Sequence, residues 1–67
     1  MPKKWIGSKV DKCDVCNAKI TNWWVDGRTI QGYWANMCPV CFETIGVGLG
    51  IGLGQKYDHA TYNKIEG

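Results

Sequence analysis

The residues best suited to chemistry in this chain are four cysteines, which are arranged as two pairs. Cys13 and Cys16 form the first pair and Cys38 and Cys41 the second, with two residues between the members of each pair. This spacing lets both sulfurs of a pair reach one ion, and two pairs together supply the four thiolates of a tetrahedral zinc site. We therefore predict that all four cysteines bind one structural zinc ion.

Two disulfide bonds are the alternative use of four cysteines. They would require an oxidising compartment, but the basic first ten residues are not followed by the apolar segment of an export signal. The most apolar stretch, residues 45–53, is too short and too rich in glycine to cross a membrane. We therefore favour the metal site and expect a cytoplasmic protein that does not engage membranes.

The length of the chain makes a metal important for stability. A chain of 67 residues can bury only a marginal core, and domains of this size use metals or disulfides as staples. Structural zinc contributes on the order of 10 kcal/mol to the folding of small zinc peptides. We expect a small metal-stabilised domain, mainly of β-structure, whose metal-free form is unfolded or molten.

The formal charge of +2 overstates how basic the folded protein is. Zinc binding removes four thiol protons and adds two positive charges, so the net charge of the metal-loaded protein falls to zero. Any binding of nucleic acid would therefore have to come from locally clustered charge.

The segment between the cysteine pairs must return the second pair to the first, which a β-hairpin does. Residues 22–30 have the pattern of strand, turn and strand, and we place the turn at Asp26 and Gly27, because Asp-Gly between β-formers favours a type I′ hairpin turn. Trp23 and Trp24 are neighbours on the first strand and therefore lie on opposite faces. At least one of them must be exposed or covered by another segment.

Both cysteine pairs are predicted to lie in tight turns. Asn17, which follows the first pair, is expected to adopt a left-handed backbone conformation, since asparagine is second only to glycine in tolerating this conformation. After the second pair, residues 41–45 are expected to form a helical turn, with Pro39 near its start and Gly46 at its end.

Residues 46–54 alternate strictly between glycine and aliphatic residues, which is compatible with a strand or a loop. In a strand, one face would carry only aliphatic side chains and the other none. Three interpretations stay open. The aliphatic side chains seal the core while Trp24 or Trp34 lies across the bare face, the segment is a mobile loop, or its backbone amides approach a phosphate or an acidic partner.

At the two cysteine pairs and the hairpin, the sequence resembles the zinc-ribbon superfamily, which implies two C-x2-C knuckles and a metal but no activity. A narrower likeness spans residues 13–57. It is carried by Cys-Asp-Val-Cys at 13–16, Val-Asp-Gly-Arg-Thr at 25–29, Trp-Ala-Asn-Met-Cys-Pro-Val-Cys at 34–41 and the glycine-rich run that ends in Gly-Gln-Lys-Tyr at 54–57. These features are similar to small, largely uncharacterised zinc-ribbon proteins of tailed bacteriophages, and the resemblance implies a viral protein in a bacterial cytoplasm.

We divide the chain into three parts. Residues 1–12 form a basic N-terminal arm, residues 13–57 a zinc-ribbon domain, and residues 58–67 a C-terminal tail or a short helical turn that Asp58 caps. His59, the only histidine, is expected to face solvent, since four cysteines already close the metal site.

We expect no catalysis and no small-molecule substrate. Catalytic zinc keeps an open coordination position, whereas four cysteines fill the shell here. The six carboxylates are scattered along the chain and form no second cluster that could do acid–base chemistry.

A binding module is the function that the composition favours. Four tryptophans and three tyrosines are many for so short a chain, and such side chains stack on bases and anchor protein interfaces. The partner is nucleic acid or a nucleic-acid-processing complex; the alternative is a host or viral protein that the module binds without touching nucleic acid. The residues that we nominate for partner binding are Lys3, Lys4, Arg28, Trp34, Gln55, Lys56 and Tyr57.

Overall fold

The computed structural model describes Trp5 and residues 9–67, so the nominated Lys3 and Lys4 lie outside the described residues. The elements in chain order are β1 (Trp23–Arg28), β2 (Trp34–Met37), α1 (Pro39–Ile45), β3 (Gly54–Asp58) and β4 (Lys64–Glu66). All four strands join one antiparallel sheet in the order β2-β1-β3-β4. The predicted class, a small and mainly β domain with a central hairpin and a cysteine cluster, is confirmed. Within the described part of the chain, no helix is long and apolar enough to cross a membrane.

The predicted position of the hairpin turn is wrong. β1 and β2 do form an antiparallel hairpin, but Asp26 and Gly27 lie inside β1 and pair with β2 on one side and β3 on the other. The chain turns at residues 29–33, where the Gly32 N–H donates to the carbonyl oxygen of Thr29 at 2.9 Å and Gly32 has a φ of 98°. Pairing on both edges of β1 therefore outweighs the local preference of Asp-Gly for a turn.

Gly27 is required by the close approach of two backbones. A Cβ atom at this position would lie 2.8 Å from the carbonyl oxygen of Leu53 and 2.9 Å from the Cα of Gly54. Glycine inside a strand often marks such an approach. Gly27, which suggested a turn from the sequence, therefore allows β3 to lie close against β1.

The two faces of the sheet bury different tryptophans. Val25 of β1 and its cross-strand partner Met37 are fully buried on the face that α1 covers. On that face Trp23 is half-buried, and its ring meets Phe42 of α1 edge to face at 6.3 Å. Trp24 points to the other face and is fully buried there. As expected, the two adjacent tryptophans lie on opposite faces of the sheet, and other segments cover both.

The second face is covered by an aromatic cluster drawn from both flanks of the domain. Tyr57 of β3 stacks on Trp24, with ring centroids 5.3 Å apart and planes 19° from parallel. The rings that meet Trp24 edge to face are those of Trp5 at 5.7 Å, Tyr62 at 5.0 Å and His59 at 6.1 Å. Segments on either side of residues 13–57 therefore help to form the same core.

His59 is not solvated as the sequence suggested. Its Nε2 lies 2.9 Å from the carbonyl oxygen of Val10, and its side chain is mostly covered. Val10 is buried, and its N–H donates to the Tyr62 hydroxyl at 3.0 Å. The histidine thus ties the segment before the first cysteine pair to the one after β3.

The last ten residues form a turn and a strand. The Asp58 carboxylate accepts hydrogen bonds from the Thr61 N–H at 3.0 Å and the Thr61 hydroxyl at 2.9 Å, so Asp58 caps a turn as expected. The chain then enters β4 and pairs with β3. Residues 58–67 are therefore not the tail or the simple helical turn that the sequence suggested.

Residues 46–53 form a loop that returns the chain from α1 to β3, which begins at Gly54. Gly48, Gly50 and Gly52 have φ values of 134°, 131° and 78°, which side-chain-bearing residues rarely adopt. Ile51 is 97% exposed. The hypothesis that the aliphatic residues of this segment seal the core is therefore wrong, although Leu49 packs against the core.

We predict that Gly27→Ala destabilises the fold by about 1–3 kcal/mol, the usual cost of overpacking, because its methyl group would meet backbone atoms that cannot rotate away. Gly52→Ala is the contrasting variant, since nothing lies within 4 Å of its added Cβ and only the φ of 78° opposes it. It should cost about 1 kcal/mol. Chemical denaturation of the two metal-loaded variants measures both values. A Gly27→Ala variant as stable as the wild type would contradict the close approach of β1 and β3.

Candidate metal centre

The four cysteine sulfurs form one cluster. All four Sγ atoms lie within 4.8 Å of one another, and the Cys16 and Cys38 sulfurs are 3.7 Å apart. A tetrahedral site with metal–sulfur bonds of about 2.3 Å places its sulfurs about 3.8 Å from one another. None of the four cysteines forms a disulfide bond. The predicted ligand set is therefore assembled at metal-binding distance.

The first cysteine pair is held by a short hairpin. The Asn17 N–H donates to the carbonyl oxygen of Cys13 at 2.9 Å, and the Cys13 N–H donates to that of Ala18 at 2.9 Å. Asn17 has a φ of 63°, which confirms the left-handed conformation predicted for it. This reversal brings Cys16 back over Cys13, so both sulfurs reach the same point.

The second pair is positioned by the start of α1. Cys38 directly precedes the helix, Pro39 occupies its first turn, where no intrahelical N–H is needed, and Cys41 is in the same turn. The Gly46 N–H closes the helix by donating to the carbonyl oxygen of Phe42 at 3.0 Å. The predicted helical turn exists and begins two residues earlier than expected.

Hydrogen bonds join the two halves of the site. The Asp14 N–H donates to the carbonyl oxygen of Asn36 at 2.9 Å, and the Asn36 N–H donates to the Asp14 carboxylate at 2.9 Å. The Cys38 N–H also reaches the sulfur of Cys13 at 3.3 Å. The first hairpin is thus fastened to β2 next to the cluster.

The surroundings shift the pKa values of the cysteine thiols in different directions. Burial raises the pKa of the Cys13 thiol, but N–H groups of Cys16, Cys38 and Val15 donate to it and bring its pKa down to about 7. Burial and the neighbouring thiols raise the pKa of Cys41. A bound cation supplies the positive charge that lets all four remain thiolates together.

Cys13, Cys38 and Cys41 are buried and Cys16 is exposed, so the donor set fits a structural metal shielded on most sides.

Three of the nominated partner-binding residues lie on one face of the sheet. Arg28 and Trp34 are direct cross-strand partners, and Gln55 pairs with Asp26, two residues before Arg28. The side chain of Arg28 is exposed, and Trp34 is 48% exposed. The Trp34 indole N–H donates to the Asp26 carboxylate, which fixes the orientation of the ring.

The other two nominated residues in the described chain are engaged elsewhere. Tyr57 is only 8% exposed and stacks on Trp24, so the expectation that its ring stacks on a partner is wrong. Lys56 faces the opposite side of the sheet, where its ammonium lies 4.2 Å from the Trp23 ring centroid and 3.9 Å from the Glu66 carboxylate. A strand places neighbours on opposite faces, so Gln55, Lys56 and Tyr57 cannot act together.

Sequence reasoning placed Lys9 and Lys12 in the basic arm but missed that Lys19 joins them beside the first cysteine pair. Lys12 and Lys19 pair across the short hairpin, and Lys9 lies on the same concave surface. The sequence could have indicated this group, because a chain reversal around Cys13 and Cys16 brings together the residues that flank it.

No protein-family model, curated protein or solved structure matches this chain. The fold and the cysteine cluster define it as a small β domain with four cysteines at metal-binding distance from one another. The likeness to phage zinc-ribbon proteins stays a prediction from the sequence.

We predict that removing the metal unfolds the domain. Four thiols crowded within 4.8 Å have no covalent link, and a structural metal contributes on the order of 10 kcal/mol, which is comparable to the whole stability of a domain. Excess chelator should abolish the β-sheet signal in circular dichroism, and one equivalent of Zn²⁺ should restore it. An unchanged spectrum in metal-free protein, verified by elemental analysis, would show that the core folds alone.

Proposed function

We propose that the chain is a structural-zinc module that binds single-stranded nucleic acid. The observation that carries the proposal is the cross-strand pair of Arg28 and Trp34, with Gln55 on the same face. An exposed tryptophan beside a guanidinium and an amide offers a stacking surface, a cation and a hydrogen-bonding group together.

Zinc is the ion that the donor set supports best. Four sulfurs with near-tetrahedral spacing are typical of zinc or of iron–sulfur sites, and C-x2-C pairs on two hairpin-like turns are typical of structural zinc. With all four positions filled by cysteine, the proposed ion has no open position for water. We therefore propose no catalytic role.

The position of Trp34 supports a single strand as the ligand. Aromatic side chains on a sheet surface stack on unpaired bases, whereas the bases of a duplex are already stacked on one another. The hydrogen bond to Asp26 holds the indole in place before binding, which lowers the entropic cost of stacking. Arg28, directly opposite Trp34, can stack on a second base.

The setting that we propose rests on the sequence resemblance alone. A small phage-encoded zinc-ribbon protein would act in the bacterial cytoplasm, where single-stranded nucleic acid and the complexes that process it are its partners. Such an accessory module needs no chemistry of its own.

We predict that Trp34→Ala weakens binding of an unstructured oligonucleotide by roughly 5- to 150-fold, which corresponds to the loss of about 1–3 kcal/mol per stacked base. Fluorescence anisotropy of a labelled deoxythymidine 20-mer with zinc-loaded protein measures this. Tyr33→Ala is the matched control, because Tyr33 is a neighbouring and equally exposed aromatic outside the strand. Equal effects of both variants, or no binding by the wild type, would contradict the proposal.

A protein partner is the second candidate, and it has its own observation. The side chains of Ile30, Val47, Ile51 and Leu53 are exposed. Backbone hydrogen bonds gather these residues around the end of β1: the N–H of Val47 donates to the carbonyl of Arg28 at 3.2 Å, and the N–H of Arg28 to that of Leu53 at 2.8 Å. Exposed apolar clusters of this kind mark protein-binding surfaces.

If this apolar end binds a protein, Ile51→Asp should abolish the contact without disturbing the fold, since Ile51 is 97% exposed. A pull-down of zinc-loaded protein after nuclease treatment, from a bacterial lysate, compares the wild type with this variant. Val40→Asp, at an exposed site on α1, is the control. A stoichiometric protein lost only with Ile51→Asp supports the candidate, and the same retained proteins in all three samples contradict it.

A further inference from the structure

Three lysines converge on one concave surface beside the metal centre. Lys12 and Lys19 are antiparallel partners across the hairpin of the first cysteine pair. Together with Lys9 they line a depression of about 570 Å³, whose other walls are Asp11 and His59. We call Lys9, Lys12 and Lys19 the lysine cluster.

The lysine cluster opposes the stability of the fold. Like charges directly opposite each other on paired strands are destabilising. Among the described residues, neither Lys12 nor Lys19 has an acidic partner, and the pair between Lys9 and Asp11 is exposed and 3.9 Å long, which makes it weak. The hairpin that presents Cys13 and Cys16 thus carries a repulsion that its metal-binding role does not require.

The positive charge of the cluster is local, because the metal-loaded protein as a whole has no net charge. With four thiolates and a divalent ion, the formal charge of +2 falls to zero over the whole chain. The depression has three lysines against Asp11 alone. Attraction of a polyanion must therefore be local, and this depression brings three lysines together on one surface.

The cluster is continuous with the face that carries Trp34. Lys9 and Lys12 also line a second depression, of about 420 Å³, with Asp14 and Asn36. Asn36 lies two residues after Trp34 on the same face of β2, and its backbone is hydrogen-bonded to Asp14. From the spacing of residues along and between strands, the path from Trp34 to Lys12 is on the order of 20 Å, which a few nucleotides can span.

We propose that the lysine cluster binds the phosphates of the same single strand whose base stacks on Trp34. This inference rests on the proposed function and adds to it the position of the phosphate contacts. Asp26 and Asp14 lie along the path near Trp34, where their carboxylates disfavour phosphates. The strand therefore contacts Trp34 through a base and the lysine cluster through its backbone.

The test is the salt dependence of binding to the deoxythymidine 20-mer by the zinc-loaded full chain. Each phosphate contact on a single strand contributes about 0.7 to the slope of log K against log salt, so the double variant Lys12→Gln, Lys19→Gln should flatten the slope by about 1.4. Trp34→Ala should lower the affinity and leave the slope unchanged. Lys64→Gln, which neutralises a lysine outside both depressions, should also leave the slope unchanged.

Thermal unfolding of the same variants supplies a second readout. Because the double variant relieves a like-charge pair, its unfolding midpoint should equal or exceed that of the wild type, so weaker binding will not reflect loss of the fold. A double variant that binds with the slope of the wild type overturns the assignment and leaves the proposed function standing. Absence of wild-type binding overturns both, and polyglutamate that competes as well as the oligonucleotide overturns nucleic acid as the ligand of the cluster.

Discussion

The fold depends on the convergence of four sulfurs at one point. The hairpin of the first cysteine pair contributes two of them, and the junction of β2 and α1 contributes the others. The two units are otherwise joined near this point by the hydrogen bonds between Asp14 and Asn36 and by the contact of the Cys38 N–H with Cys13. A chain this small has little apolar surface to spare, and a metal bound at this cluster would supply coordination bonds in place of the burial that a larger domain would use.

The second constraint is the crowding of backbones around β1. Gly27 and Gly54 are cross-strand partners, and a Cβ on either would lie within 3 Å of backbone atoms. The loop at residues 46–53 then wraps the end of β1, using positive φ values at its glycines to reverse twice in a short distance. The glycines here allow close packing and chain reversal. Of the aliphatic residues between them, Ile51 is almost fully exposed, whereas Leu49 packs against the core.

Features set by local chemistry were predictable from the sequence, and features set by distant pairing were not. The ligand set, the left-handed Asn17 and the helix after Pro39 follow from residue type and near neighbours. The turn expected at Asp26 and Gly27 fails because β3, almost thirty residues later, pairs with β1 and holds it extended. The same pairing buries Tyr57 and turns Lys56 to the opposite face, so three consecutive nominated residues are divided between two faces.

The cysteine cluster also links the two parts of the proposed binding surface, although no ligand would touch it. Lys12 and Lys19 are held opposite each other by the hairpin that presents the first cysteine pair, whereas Trp34 is carried by the strand that leads to Cys38. Their separation is therefore set by how the two cysteine pairs meet. Since like charges at Lys12 and Lys19 oppose the hairpin, a metal bound by Cys13 and Cys16 would offset that repulsion and keep the lysines together. A structural ion would in this way set the geometry of the binding surface without contacting the ligand.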